Sequence, residues 1–206
     1  FRISESIYKE GQWRFISPRG LKAKYREHIR FRKNRVWLLC AGGFVASDFS
    51  LIRAYPGKKL KWGYFPEFRP HDPLRLLEKK PLRQGKRPKL LWAGRLIDWK
   101  HPETALCAAR ALREKGRDFS LELIGEGPLK ESLEEGLKEW GLTDLVSITP
   151  FRSPEKVREA MEEADIFLLC SDRREGWGAV ANEAMNSGCA LVCSSGAGAV
   201  PFLVRQ

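Results

Sequence analysis

Residues 89–127 read KLLWAGRLIDWKHPETALCAARALREKGRDFSLELIGEG, and this stretch decides the fold. Two apolar runs, Leu90–Gly94 and Leu121–Gly125, flank a segment in which Ala105, Ala108, Ala109 and Leu112 fall at i, i+3, i+4 and i+7. A continuous apolar run suits a strand covered on both faces, and the 3.6-residue stripe suits the helix that covers it, so the stretch spells a parallel βαβ unit. The pattern repeats at intervals of about 20–30 residues through Leu145–Thr149, Ile166–Cys170 and Ala190–Cys193. In the gaps, Leu129, Leu133 and Leu137 share a helix face that ends before Gly141. Ser153 and Pro154 read as N-cap and first helical residue of a stripe through Val157, Ala160, Met161 and Ala164. A doubly wound α/β domain is therefore expected over residues 89–206.

Upstream, Ser17-Pro18 opens a basic helix expected to run to about Arg32. Val36–Cys40 reads as a buried strand, Gly42-Gly43 as a turn into a short helix, and Lys58–Phe65 as a further strand. Residues 1–65 thus look like the end of another α/β unit. Residues 66–88 carry Pro66, Pro70, Pro73, Pro81 and Pro88 with a basic run, which is linker composition. The chain starts at Phe1 and stops at Gln206 just after the apolar Pro201–Val204, so a fragment of something longer is expected.

With 206 residues, 43% of them hydrophobic, the chain has enough apolar surface for globular cores, which excludes a disordered protein. Its apolar runs fall well short of the ~18–20 residues that cross a bilayer. Cys40, Cys107, Cys170, Cys189 and Cys193 are odd in number and scattered, which reads as reduced thiols in a cytoplasmic protein. Neither Cys189 with Cys193 nor His28, His71 and His101 have zinc-site spacing, so no metal is expected. The net charge of +11 is divided unevenly. Residues 1–89 hold 23 Lys/Arg against 7 Asp/Glu, and residues 90–206 hold 14 against 19.

Ligands of open α/β sheets sit beyond the carboxyl ends of the strands, so the segments after the apolar runs are the candidates. After Cys170 come Glu175, Gly176, Trp177 and Gly178, with Glu183 eight positions after Glu175 inside a helix. The glycines would let an anion reach backbone N–H groups, and the two carboxylates suit sugar and ribose hydroxyls. The same acids also fit a first-turn residue and a solvated helix position. After the first strand, Gly94, Arg95 and Lys100 place two cations where they could neutralise a diphosphate leaving group without a metal. They equally fit surface cations in a chain rich in both. Gly125-Glu-Gly-Pro128 could pass close to a nucleotide or be an ordinary tight connection.

Taken in order, these segments resemble family 4 of the glycosyltransferases, the group 1 enzymes of the GT-B fold. The resemblance rests on Ala93-Gly-Arg-Leu with Lys100, Leu123-Ile-Gly-Glu-Gly-Pro128, Ala164–Ser171, Glu175-Gly-Trp-Gly178, Glu183-Ala-Met with Gly188, the Ala190–Cys193 run and the Gly196-x-Gly turn. It implies two Rossmann-like domains, both incomplete: an acceptor-side part over 1–65, a linker over 66–88 and a nucleotide-sugar domain over 89–206. It further implies that Arg95 and Lys100 hold the donor diphosphate, with Gly94, Gly125, Gly176, Trp177 and Gly178 shaping the site. Glu175 would meet the transferred sugar, Glu183 the ribose, and the Phe151-Arg152 loop would lie near the base. Trp177 stands where the family more usually has Phe, and the family's early glycine-rich loop is absent.

The expected function is a retaining, metal-independent hexosyltransferase that uses a nucleoside diphosphate sugar as co-substrate, with no cofactor, and a saccharide or lipid-linked acceptor. Two other readings remain: a nucleotide-sugar-binding or regulatory module without turnover, and another GT-B enzyme such as a sugar-nucleotide epimerase, a class that lacks the Glu175/Glu183 arrangement. Lys22, Lys24, Arg26, Arg30, Arg32, Lys33 and Arg35, interleaved with Tyr25, Ile29 and Phe31, make an anionic membrane surface a further candidate partner, placing the protein at the inner face of the membrane. No nucleic-acid motif accompanies the run, so nucleic acid is not an expected partner.

Overall fold

A computed structural model of the chain describes residues 1–8 and 17–204. The chain divides into two compact units: Phe1–Tyr64 with Arg173–Gly178 and the residues from Ser195 on, and Phe65–Asp172 with Ala179–Ser194.

The first unit is built on a parallel three-stranded sheet in the order β1-β2-β3, with β1 at Arg2–Ser4, β2 at Leu38–Ala41 and β3 at Lys59–Trp62. Helix α1 (Pro18–Glu27) starts where the sequence marks it, with Pro18 in the first turn and the Ser17 hydroxyl accepting from the Gly20 N–H at 3.0 Å. It ends at Glu27 rather than near Arg32, and a 3-10 turn over Ile29–Phe31 takes up the remainder. None of its residues is buried. Leu38, Cys40, Val45, Phe49, Ala54 and Tyr55 form the core, with helix α2 (Val45–Leu51) laid on the sheet. The thiol of Cys40 is buried there, which pushes its pKa up. The strand expected over Lys58–Phe65 is shorter, and β1 has no counterpart in the sequence reading.

The second unit starts with α3 (Pro73–Glu78), followed by β4 (Lys89–Ala93), α4 (Pro102–Glu114), β5 (Ser120–Ile124), α5 (Lys130–Glu139) and β6 (Val146–Thr149). Then come α6 (Pro154–Glu163), β7 (Ile166–Leu169), α7 (Val180–Asn186) and β8 (Ala190–Cys193). The five strands are parallel, in the order β6-β5-β4-β7-β8. In the unit's own count this is 3-2-1-4-5, so the connections leave in opposite directions on either side of the β4–β7 pair. That pair is the switch point of the sheet. Leu90, Trp92, Leu121, Leu123, Leu106, Leu133 and Phe119 fill the core between sheet and helices, as the apolar runs and stripes require.

Residues 66–88, expected as a linker, lie within this second unit. The Asp72 carboxylate caps α3 by accepting from the Leu74 N–H at 3.0 Å. Lys80 is 2% exposed and donates from Nζ to the carbonyls of Met161, Ala164 and Ser187 at 2.8, 2.7 and 2.7 Å. The Asp165 carboxylate accepts from the backbone N–H groups of Leu82 and Lys89 at 3.0 and 2.8 Å. Conversely, residues 173–178 and those after 194, expected in the donor domain, belong to the first unit. The α3 end of the unit is therefore fastened to α6 and β7 by one ammonium and one carboxylate.

Candidate nucleotide-sugar site

Beyond the carboxyl end of β4 the chain stays close to the loop that follows β5. The Gly94 N–H donates to the Ile124 carbonyl at 3.0 Å, and the Leu96 N–H to the Glu126 carbonyl at 2.9 Å. A Cβ on Gly125 would lie 1.9 Å from the Gly94 carbonyl oxygen, and one on Gly127, whose φ is +157°, would lie 2.3 Å from the Leu96 oxygen. The two loops are stacked backbone on backbone, which only glycine permits at those positions. They form one wall of a cleft of about 610 Å³, with Gly94, Arg95 and Lys100 from the β4 loop, Glu126 from the β5 loop, Phe151 from the β6 loop and Val180 from α7. Arg95 is exposed and its guanidinium lies over the Trp99 ring, 5.6 Å from the centroid.

Arg152 is not among the cleft residues. Its guanidinium donates to the Glu122 carboxylate and, at 3.2 Å, to the Thr149 hydroxyl, while its neighbour Phe151 is 73% exposed at the cleft.

Glu183 sits half-buried on α7. Burial raises its pKa, and the nearby guanidiniums of Arg158 and Arg69 oppose that rise. Arg158, itself 5% exposed on α6, donates to the Asn186 side-chain oxygen, which also accepts from the Arg69 N–H at 2.9 Å. The Asn186 amide nitrogen in turn donates to the Arg69 carbonyl at 3.0 Å. The last turn of α7 is thus fixed from two sides. Nothing in the residue spacing marks Arg158, Asn186 and Arg69 as the groups that meet at this helix turn.

Glu175, Gly176, Trp177 and Gly178 lie in the first unit. The Gly198 N–H donates to the Glu175 carbonyl at 3.1 Å, and the Ala199 N–H to the Trp177 carbonyl at 2.9 Å. A Cβ on Gly198 would fall 1.9 Å from the Gly176 oxygen. Trp177 is 4% exposed, its ring against Gly63 and edge-on to Tyr64 and Phe202. The Trp that replaces Phe is therefore packed as a core residue of that unit. The sequence set is divided: Gly94, Arg95, Gly125, Lys100 and Glu183 belong to the second unit and the 175–178 turn to the first. Among the described residues no three His, Cys, Asp or Glu side chains are grouped to hold a metal ion. Cys189 is buried, which pushes its thiol up to about 11 against the nearby Lys80 ammonium.

Residues 75–206 match the family model described as "Glycosyl transferases group 1". This chain belongs to that family. The amylovoran biosynthesis glycosyltransferase AmsK of Erwinia amylovora is 32% identical over 123 residues, which is 57% of this chain and 30% of that protein. The 2-deoxystreptamine glucosyltransferase of Streptomyces kanamyceticus is also 32% identical, over 122 residues, or 59% of this chain and 31% of the relative. This group 1 chain spans about a third of the length of the curated relatives it matches. Among solved structures it is similar to Anabaena HepE in complex with UDP, with a TM-score of 0.72 at 16% identity over 99% of this chain and 55% of that one. It is also similar to WaaG, a glycosyltransferase of lipopolysaccharide biosynthesis, with a TM-score of 0.62 at 19% identity over 95% of this chain and 54% of the other. The group 1 chain is thus an α/β protein of the GT-B type, as expected, with its parallel sheets in place.

Proposed function

We propose that this chain carries the donor site of a retaining hexosyltransferase, which moves a sugar from a nucleoside diphosphate to a saccharide or lipid-linked acceptor. The observation that carries the reading is the cleft at the carboxyl ends of β4 and β5, with Arg95 and Lys100 on the loop that leaves β4 beside the switch point. Departure of the diphosphate leaves negative charge on its oxygens, and two cations fixed on a loop braced by Gly94 and Gly125 would stabilise that charge without reorganising. Lys100 and Arg95 supply the role a metal ion would otherwise fill, so a metal-independent reaction is proposed. Glu183 would accept from ribose hydroxyls, and Glu175 would contact the transferred hexose. Family membership, an Anabaena relative of similar fold in complex with UDP and two relatives described as glycosyltransferases support this reading.

A second part of the proposal concerns location. Among the described residues no helix is long and apolar enough to cross a membrane. Lys22, Arg26 and Arg30 are exposed on or just after α1, a helix without buried residues. Such a face would attract an anionic lipid surface, at about 1 kcal/mol per basic residue close to it. The proposal is a cytoplasmic protein held peripherally at the inner face of the membrane.

The deciding test is a thermal-shift panel of uridine, guanosine and adenosine diphosphate sugars on the intact protein. A ligand at ~100 times its Kd stabilises by about 2.7 kcal/mol, enough to rank the bases. No shift with any member of the panel would reject the donor-site reading, and a shift without transfer or donor hydrolysis would favour a binding module.

A further inference from the structure

We infer that His101 is a positioning residue of the donor site: its imidazole clips the loop that follows β7 to the loop that follows β4, and so holds Arg95 and Lys100 in one arrangement. The inference rests on the donor-site reading given above and concerns a residue that line of reasoning does not use.

The geometry starts at the switch point. β4 and β5 pair at five positions, from Lys89↔Ser120 to Ala93↔Ile124, whereas β4 and β7 pair only at Leu90↔Ile166 and Leu91↔Phe167. Past Leu91 the two strands carry no ladder between them. Two contacts rejoin their loops farther on. The Asp172 N–H donates to the Trp99 carbonyl at 3.0 Å, and His101 Nε2 lies 3.2 Å from Asp172 Oδ2. The other ring nitrogen, Nδ1, lies 2.7 Å from Glu103 Oε1 in the first turn of α4.

A carboxylate therefore faces each nitrogen of the ring. Neutral imidazole has one N–H and one lone pair, so it can donate to only one of them and must turn its lone pair on the other. The imidazolium donates to both. The Glu103 hydrogen bond, and after it the Asp172 one, raise the pKa of His101 above its ordinary value, with burial opposing them. The groups that face or adjoin the ring are Glu103 and Lys100 on its own segment and Asp172 on the facing loop. Cys170, at the end of β7, stays a neutral thiol because burial, with Glu103 adding to it, pushes it up to about 12.

The backbone agrees. His101 has φ +47° and ψ +51°, the left-handed region where a glycine sits without cost. A histidine held there follows Lys100 directly and carries strain that its two carboxylate contacts offset. It is not one of the cleft residues, so it acts through the loop and not by touching the donor.

The sign of the pH dependence follows. With a folded pKa above the ordinary 6.5, the clip is complete below that value and is lost as pH rises through the folded pKa. The test measures binding of UDP-glucose, UDP-N-acetylglucosamine and GDP-mannose to the intact protein between about pH 6 and about pH 8.5. Their phosphates do not titrate in that range. Wild type should lose about three- to tenfold in affinity for the best of the three across it, whereas His101→Gln should show a flat profile near the high-pH wild-type value. His101→Gly separates ring from backbone: it too should be flat, and a wild-type profile in either variant overturns the inference. NMR titration of the His101 ring should give a pKa above 6.5 that falls in Asp172→Asn. A ring that titrates at or below 6.5 in wild type overturns it as well. If none of the three donors binds, the donor-site reading fails, and the clip is still judged by this titration and by the exchange of the Asp172 amide proton, which should speed up in His101→Gln.

Discussion

The Gly94 carbonyl oxygen occupies the position that a Cβ of Gly125 would need, 1.9 Å away. The loops after β4 and β5 can approach this closely only because residue 125 has no side chain. Gly125→Ala should therefore push the Arg95–Lys100 loop outward and cost about 1–3 kcal/mol of stability, the usual penalty of overpacking. It should also weaken donor binding beyond what Tm loss explains. Gly136→Ala, with nothing within 4 Å of the added methyl and a position inside α5, is the control and should gain about 0.5–1 kcal/mol. Chemical denaturation of both variants, with donor titrations, checks the pair.

Arg95→Ala and Lys100→Ala should each weaken binding of a nucleoside diphosphate far more than that of the parent nucleoside. A charge-assisted hydrogen bond contributes on the order of 1.5–3 kcal/mol, and only the diphosphate can accept it. Calorimetric titration with both ligands measures the difference; equal losses would remove the two cations from the phosphate role.

The two carboxylates should separate kinetically. Glu183→Ala is expected to raise Kd for nucleotide and nucleotide sugar alike, since both contain ribose. Glu175→Ala is expected to lower kcat and blur discrimination between donor sugars, with nucleotide binding nearly unchanged. Steady-state transfer kinetics of the whole enzyme test both, and unimpaired transfer by Glu175→Ala would sink the sugar contact.

Lys80→Met should destabilise the protein by about 2–3 kcal/mol, because three carbonyls lose a charged donor at once, those of Met161 and Ala164 keeping the weaker Cys189 thiol. Lys79→Met, at an exposed neighbouring position, should stay within about 0.5 kcal/mol of wild type. Urea unfolding of the two variants makes the comparison.

Changing Lys22, Lys24, Arg26 and Arg30 together to Gln should abolish binding to anionic vesicles at low salt, and high salt should do the same to wild type. Co-sedimentation with vesicles of phosphatidylglycerol and phosphatidylcholine decides this. Equal sedimentation of variant and wild type would leave α1 a solvated face and make a soluble acceptor the better choice.

The five strands of the second unit could be read from the sequence because each carries closely spaced apolar residues, most continuously in the buried β4 and β7, with Glu122 interrupting β5 and Ser147 interrupting β6. Ala190–Cys193 coincides with its strand, and the others differ by one residue at one or both ends. β1 could not be read: three residues become a strand only by pairing with Leu38–Cys40. The proline-rich stretch over 66–88 has linker composition, yet Lys80 is ordered by carbonyls 81, 84 and 107 positions away, a dependence no local pattern records. The same holds for the site. Gly94, Arg95 and Lys100 are near one another in sequence and can be read together, whereas His101 and Asp172 are 71 positions apart and Arg158 and Asn186 are 28 apart. The assignment of Glu175 to the first unit depends on Gly198 and Ala199, which tertiary packing alone brings to that turn.

The chain starts the three-stranded unit, leaves it after Tyr64, and returns to it at Arg173–Gly178 and again from Ser195 on. During synthesis the two units are therefore made interleaved. All five strands of the second unit have been made once Ser194 is joined, while the first unit still lacks the segment that carries Gly198 and Ala199. Domains fold as they emerge, so the three-stranded unit waits, through the making of the five strands, for the segment that hydrogen-bonds the Glu175–Trp177 turn. Ribosome-bound chains halted at residue 194 plus an exit-tunnel spacer should be protected from protease over residues 89–172 and cleaved within residues 38–62.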